Sequence, residues 1–577
     1  MKRKSLFTML AFLVVASMVL TACQPAPTPA PPAEAPTEAA PPAEAPTEAP
    51  AAAPTEAPPV YEPMTLTAPD CDYGGVIKEI AAVDALTVKF TLCKPDPAFL
   101  SQVAFSVFSI QPQEWLEKNQ GGGALLEQPV GTGPYMLDKW NRGDSITFKR
   151  FDDYWGDKAK TSTLVFRWSA ESAARLLELQ SGTVDGIDNP GPDDFKTIEA
   201  DTNLQIKPRD GGNVFYVGIT NTFPPFDNVK VRQALAMGID RQRIVDTFYP
   251  PGSSVASHFT PCAIPNGCAG DAWYDFDPVA AKALLTEAGF PDGFKTKIYY
   301  RDVVRAYLTK PGDVATDIQA QLKANLNIDA EIVVMESGAF LEESAAGRLE
   351  GIYLLGWNQD YPNITNYLDF HFGESQKQWG NPFPEIYEPL VEGAQIADPK
   401  AAEQYYIAAN NAIKQLVPCV PIAHGGSATA FRADVEGAHA SPLGNEIFAV
   451  MKPGDRDTFV WMQNAEPISL YCPDETDGES LRACEQVIEA LYSYEVGGTA
   501  VQPALATSCD PNADLTEWIC KLREGVKFHD GSTFDANDVV VSWTAGLDAS
   551  SPLHKGNTGV FEYWATIWGA LMNLPPQ

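Results

Sequence analysis

The sequence predicts an α/β protein of open mixed sheets covered by helices and divided into at least two lobes. Strand and helix patterns alternate from about residue 60 onward, which argues for sheets with helices laid over them. A chain of 577 residues exceeds what one hydrophobic core usually serves. With 45% hydrophobic, 10% aromatic and 20% charged residues, its makeup is that of a folded globular protein.

Taken in chain order, residues 1–23 read as a secretion signal. Lys2, Arg3 and Lys4 open it, an apolar run follows from Leu6 to Leu20, and Leu20-Thr21-Ala22-Cys23 ends it. The run is shorter than the roughly 20 residues a spanning helix needs. An uncleaved anchor is the alternative, and the ending speaks against it. That ending resembles the bacterial lipobox, in which the Cys is lipidated and becomes the mature N-terminus. Lipidation of Cys23 tethers a protein to the membrane without spanning it. Residues 24–60 read as a disordered Pro/Ala/Glu-rich stalk. PPAEAPTEA at 31–39 recurs at 41–49, and the stretch has no aromatic or basic residue with which to build a core. Proline at this density favours an extended chain with a reach on the order of 100 Å.

In the body, TLVFRW (163–168) reads as a strand, AESAARLLELQSG (170–182) as a helix and TVDGI (183–187) as a short strand. Val231, Ala234, Leu235 and Ile239 share one helical face, with Asp227 as its cap. Asp277-Pro278 opens a helix that Gly289 closes. Val314, Ile318, Leu322 and Leu326 recur at four-residue spacing, and the β-branched strand AEIVV (330–334) follows.

Asp and Glu number 75 against 41 Lys and Arg, a net charge of −34. That field repels nucleic acid, and no basic cluster offsets it. Beyond Cys23 the cysteines fall in sequence pairs, Cys71/Cys93, Cys262/Cys268, Cys472/Cys484 and Cys509/Cys520, which in an exported chain read as disulfides. Cys419 is left over in the apolar run LVPCVPI and reads as a buried thiol. A zinc site needs short CxxC spacings with His partners, and the sequence has none. His258, His371, His424, His439, His529 and His554 are scattered, and His424 and His529 read as structural. The P-loop, nucleophile-elbow, HExxH and dinucleotide-binding patterns are missing, so no positive case for an enzyme or a cofactor arises.

Several stretches resemble one family. They are PVGTGPY (129–135), KWNRGDSITFKRFDDYWG (139–156), SGTVDGID (181–188), NTFPPFDNVKVRQALAMGIDRQRIV (221–245), DPVAAKALLTEAGFPDGF (277–294), GWNQDYPNITNYL (356–368) and KLREGVKFHDGSTFDANDVVVSW (521–543). The family is the family 5 extracellular solute-binding proteins, the dipeptide, oligopeptide and nickel receptors of bacterial ABC importers. The segments stand in rotated order. KLREGVKFHDG belongs near the family's mature N-terminus, and FVWMQNAEPISLYCPDETDGESL (459–481) looks like its opening strand and first loop. The order reads as a circular permutation joined near Met451–Asp455, with a truncated second copy as the alternative.

The resemblance implies a two-lobed periplasmic-binding-protein-like clamp of the class II type, non-enzymatic and monomeric. Lobe I is expected at 61–221 and 425–577, completed by 457–577, and lobe II at 222–424. YVGIT (216–220) and PIAHG (421–425) are the expected crossovers. It also implies an outer-face, lipid-anchored receptor that captures a small solute, foremost a peptide, and hands it to the importer's membrane subunits. Asp360 matches the family Asp that pairs with a peptide α-ammonium, flanked by Trp357 and Tyr361. Arg305 lies where peptide-binding relatives carry a carboxylate-binding Arg, with Arg301 competing. Asn221 either touches solute or satisfies hinge backbone, and Tyr492 packs in the core. Tyr471-Cys472 stands where the family often has Asp-Pro, which leaves oligosaccharides open and a nickel chelate with His371 alone nearby. A purely structural lipoprotein and an extracellular hydrolase are the rival classes.

Overall fold

A computed structural model describes residues 61–209 and 211–574. The secretion signal, Cys23 and the stalk lie outside the described residues. Three large sheets organise the body, one in lobe II and two in lobe I.

Lobe II is built on six strands, in the order Ser254–Val255, Cys419–His424, Asn213–Ile219, Ile352–Asn358, Lys295–Arg301 and Asp329–Met335. The crossover strand Asn213–Ile219 (NVFYVGI) is buried at every position and pairs antiparallel with both Ile352–Asn358 and Cys419–His424. An apolar run buried on both faces belongs at the centre of a sheet. Residues 213–219 thus lie at the centre of this six-stranded sheet. The helices follow their sequence signals. Asp277 Oδ1 accepts from the Val279 and Ala280 N–H groups and starts the helix Pro278–Glu287, after which Gly289 turns with φ +92. Val314, Ile318, Leu322 and Leu326 face the lobe II core from the helix Pro311–Leu326. The cap of Val229–Gly238 is Asn228, whose Oδ1 accepts from Lys230 N–H at 3.0 Å, rather than the expected Asp227.

Lobe I holds a seven-stranded sheet in the order Tyr135–Asn141, Ser145–Arg150, Thr163–Trp168, Thr458–Gln463, Gly186–Asp188, Ser427–Arg432 and Leu204–Arg209. Thr458–Gln463 lies parallel to, and between, Thr163–Trp168 and Gly186–Asp188. In the five-stranded sheet, the hairpin Ala506–Pro511 with Glu517–Leu522 extends the strand Thr87–Leu92, Glu517 to Lys521 facing Thr91 to Thr87. Residues after 457 therefore supply a central strand to one sheet and an edge hairpin to the other. Phe90, Phe99, Phe108, Trp543, Trp564 and Trp568 form one aromatic core from both ends of the chain.

The stretch around 451–456 is short and ordered by pairing. Lys452–Pro453 bridges Val435–Glu436, Gly454 turns with φ +55, and Arg456 reaches Asp185 at 2.6 Å and Asp434 at 3.2 Å. Beneath it sits a buried charge network. Arg209 meets Asp188 at 3.0 Å and Glu446 at 2.6 Å, while Arg482 meets the same two carboxylates at 3.1 and 2.9 Å. The four expected cysteine pairs are bonded, with Cα separations of 5.6 Å (Cys71–Cys93), 4.9 Å (Cys262–Cys268), 6.0 Å (Cys472–Cys484) and 3.9 Å (Cys509–Cys520). Cys419 is a buried free thiol.

Candidate functional site

Strand Ile352–Asn358 runs through the middle of the lobe II sheet and delivers Gln359 and Asp360 to the seam with lobe I. Gln359 N–H donates to Gly212 O at 2.9 Å, which fixes the strand's exit beside the crossover. Buried Asn366 then shapes the turn: its Oδ1 accepts from the Asp360 N–H at 2.9 Å and from Trp357 Nε1 at 3.2 Å, and its Nδ2 donates to Asp360 Oδ2 at 2.9 Å. From lobe I, the Tyr563 hydroxyl donates to Asp360 Oδ1 at 2.8 Å.

Tyr563 is positioned by a second carboxylate. Asp474 accepts from the N–H groups of Gly559 at 2.8 Å and Phe561 at 2.9 Å and from Thr558 Oγ1 at 2.8 Å, pinning the loop that starts the helix Glu562–Ile567. Phe105 meets the Tyr563 ring edge-on, with centroids 5.0 Å apart. Asn366, Asp474 and Tyr563 escaped the sequence reading. Each acts through a partner distant in sequence or through a turn without a strong local signature.

Burial, opposed by the bonds from Asn366 and Tyr563, raises the Asp360 carboxyl to about 6. Burial likewise raises Asp96 to about 6, Asp369 to about 7 and Glu485 to about 8. Among the described residues, none of these four carboxylates is in an ion pair. A desolvated carboxylate held by neutral donors favours an incoming cation that can form a charge-assisted bond.

The other expected residues are distributed differently. Trp357 is half-buried and tilts against Phe370 at 4.0 Å, with His371 edge-on at 5.0 Å. Tyr361 does not line the seam as a free face. It is 5% exposed and inserted in the lobe I core, its hydroxyl 3.1 Å from Thr365 Oγ1. Arg305 is exposed in a tight turn closed against Leu308, and its Nη1 donates to Val304 O at 3.1 Å. Arg301, at the end of its strand, donates to Ser337 Oγ at 3.0 Å and Tyr307 Oη at 3.2 Å. Asn221 spends both ends of its amide on the backbone of Asn381, at 2.8 and 2.9 Å. Tyr492 is buried, its hydroxyl accepting from Cys509 N–H at 2.9 Å. His371 is 1% exposed and pushed down to about 3 by burial, a core residue donating to Tyr367 O. His529 bonds Gly133 O, and His424 bonds Asn213 O. His258, by contrast, stands beside Cys262 and Cys268.

The sequence matches the family model described as "Bacterial extracellular solute-binding proteins, family 5 Middle" over residues 39–379 and 500–560. A dipeptide-binding protein of Pseudomonas aeruginosa is 31% identical over 396 residues, which cover 65% of this chain and 72% of that one. Among solved structures, the dipeptide binding protein from Pseudoalteromonas sp. SM9913 in complex with Met-Leu aligns with a TM-score of 0.59 at 27% identity, over 66% of this chain and 76% of its own. The periplasmic binding protein DppA from Helicobacter pylori in complex with the peptide STSA aligns with a TM-score of 0.55 at 28% identity, over 63% and 71%.

Proposed function

The chain belongs to the family 5 bacterial extracellular solute-binding proteins, and from that premise we propose that it is a lipid-anchored, extracytoplasmic peptide receptor of an ABC importer. Peptide is captured between the lobes and passed to the permease, and no covalent chemistry is involved. The observation that carries this reading is the Asp360 carboxylate, desolvated at the seam and held only by neutral donors from both lobes. Such a group binds an α-ammonium by a charge-assisted hydrogen bond. The peptide named in two structural relatives and in the Pseudomonas aeruginosa protein's name points the same way. Arg301, which bonds only neutral hydroxyls among the described residues, is better placed than exposed Arg305 to meet the solute's carboxylate.

The rotated segment order fits a circular permutation in which 457–577 completes lobe I. The central placement of Thr458–Gln463 supports it, as does the bond from Val76 N–H to Trp568 O at 2.8 Å, which joins the early and late parts of the folded body. The stalk and Cys23 supply the leash to the membrane, as the lipobox resemblance implies. The test is mass-spectrometric identification of solutes that co-purify, followed by calorimetric titration with di- and tripeptides. Saturable peptide binding at one site per chain is expected. A chain that co-purifies with an oligosaccharide and takes up no peptide removes the peptide reading.

A further inference from the structure

We propose that Cys262, Cys268 and His258 form a redox-gated zinc site on lobe II, closed while the cysteines are joined as a disulfide and opened when a dithiol reductant cleaves that bond. Among the described residues this is the one group of three or more His, Cys, Asp or Glu side chains placed to hold a metal, with every ligand atom within 4.8 Å of the others. A tetrahedral Zn2+ with bonds of about 2.3 Å to sulfur and about 2.0 Å to nitrogen puts its donors roughly 3.5–3.8 Å apart, so small side-chain rotations bring this set into register. Two thiolates and an imidazole are the donor types zinc selects, and they leave a fourth position for water.

Three further observations separate this pair from an ordinary structural disulfide. His258 is 6% exposed, and its Nε2 is buried without a hydrogen-bond partner, unusual for a polar atom that costs free energy when unsatisfied. Ser257 Oγ sits amid the set, 3.5 Å from each sulfur and 3.1 Å from His258 Nδ1. Cys262 is exposed and Cys268 half-buried, within reach of a reductant, whereas Cys472 and Cys484 are both fully buried.

The loop is held without help from the disulfide. Asn266 Nδ2 donates to Pro399 O at 2.8 Å, Asn410 Nδ2 to Ala269 O at 2.9 Å, and Asp271 N–H to Asn411 Oδ1 at 2.7 Å. Ile264 and Trp273 anchor it in the lobe II core. Reduction therefore frees two thiols in a loop that keeps its place. The exchange balances: a dithiol gives two electrons and two protons to the disulfide and is itself oxidised to a disulfide. Zinc then displaces the two thiol protons. A disulfide oxidant takes back the two electrons by thiol–disulfide exchange and leaves as a dithiol, which joins the sulfurs again and expels the metal.

The experiment uses the full chain with Cys71→Ser and Cys93→Ser, which removes the other disulfide with an exposed sulfur, and Co2+ as a spectroscopic stand-in for zinc. After mild reduction, with two thiols gained over the oxidised chain, one equivalent of Co2+ should give tetrahedral visible bands and thiolate charge-transfer absorption, both abolished by added Zn2+. The oxidised chain should give neither. His258→Ala should weaken Co2+ binding by at least about tenfold, and Cys262→Ser with Cys268→Ser should abolish it. His258→Gln, checked by circular dichroism, serves if the Ala variant misfolds. Absence of the bands in the reduced chain overturns the proposal. So does unchanged affinity in a folded His258 variant. Peptide binding is not read, so the outcome stands apart from the receptor assignment.

Discussion

The Tyr563 hydroxyl and the Asp360 carboxylate meet at 2.8 Å across the seam, although 203 positions separate them in the chain. Asp360 stands two residues beyond the lobe II strand Ile352–Asn358, whereas Tyr563 follows a loop that Asp474 pins in lobe I. The pair ties the exit of the strand Ile352–Asn358 to the helix Glu562–Ile567.

Replacing that carboxylate is the most direct test of the receptor assignment. Removing one partner of a desolvated charge pair typically costs about 2–5 kcal/mol. Asp360→Asn is therefore expected to weaken peptide binding by roughly 30- to several-thousand-fold. An uncharged oligosaccharide should bind both proteins alike. Calorimetric titration of each protein with a peptide library decides it, and equal peptide affinities take Asp360 out of the site.

The same residue predicts a pH dependence with opposite signs for binding and stability. Its carboxyl is raised to about 6 by burial. Peptide affinity should fall as pH drops through about 6, by about tenfold per unit below it. For folding, between its ordinary value and about 6 the native chain holds a proton that the unfolded chain has released. The ionised group therefore opposes folding above about pH 6. Peptide-free Asp360→Asn should consequently melt higher than the parent above pH 6 and converge with it near pH 4. Thermal melts across that range check the sign. A variant less stable at every pH contradicts the assignment.

Local physics made much of the fold legible. Asp277-Pro278 and Gly289 bracket their helix because a cap, a fixed φ and a left-handed turn are properties of single residues. Cys509 and Cys520 pair because the hairpin between them is short and places them in register. Of the groups bonded to one another at Asp360, the sequence singled out Asp360 itself and neither Asn366 nor Tyr563. Tyr361 looked like a flanking aromatic, yet it is captured by the lobe I core, a contact that no pattern within residues 356–368 encodes. Asn221 matched a crossover position, but whether its amide faces solute or the backbone of Asn381 depends on a loop 160 positions away. The place of His258 beside Cys262 and Cys268 was not legible, because the two cysteines are spaced six apart on an irregular loop.

Arg482 tests the buried network beneath the seam. It and Arg209 share Asp188 and Glu446, and these two cations hold the Glu446 carboxyl down to about 2 despite its burial. Breaking a buried pair from one side typically costs about 3–5 kcal/mol, because a charge is left unpaired. Arg482→Met should lose stability on that scale in chemical denaturation. Adding Glu446→Gln should recover part of the loss, since the stranded carboxylate is then neutral. Glu446 also sets a sign: its stabilising contribution is present above its ordinary range and lost as pH falls toward about 2. A loss under about 1 kcal/mol at neutral pH indicates that the network is solvated in solution.

The rotated chain order is tested by cutting at the proposed join. Without residues 457–577 the seven-stranded sheet loses Thr458–Gln463 between two parallel neighbours, and the five-stranded sheet loses its hairpin. The exposed edges would be unpaired and apolar, a condition that leads to aggregation. A chain ending at residue 456 is therefore expected to be insoluble or unfolded. A chain carrying 457–574 ahead of 61–456, through a short flexible linker, should fold and bind peptide with the parent's affinity. The competing view, a whole receptor followed by a truncated second copy, predicts the reverse for the shortened chain: soluble, cooperative in its melt and active in peptide binding. Soluble yield, circular dichroism and titration of the two rearranged chains separate the views, and a folded, peptide-binding 61–456 would refute the permutation.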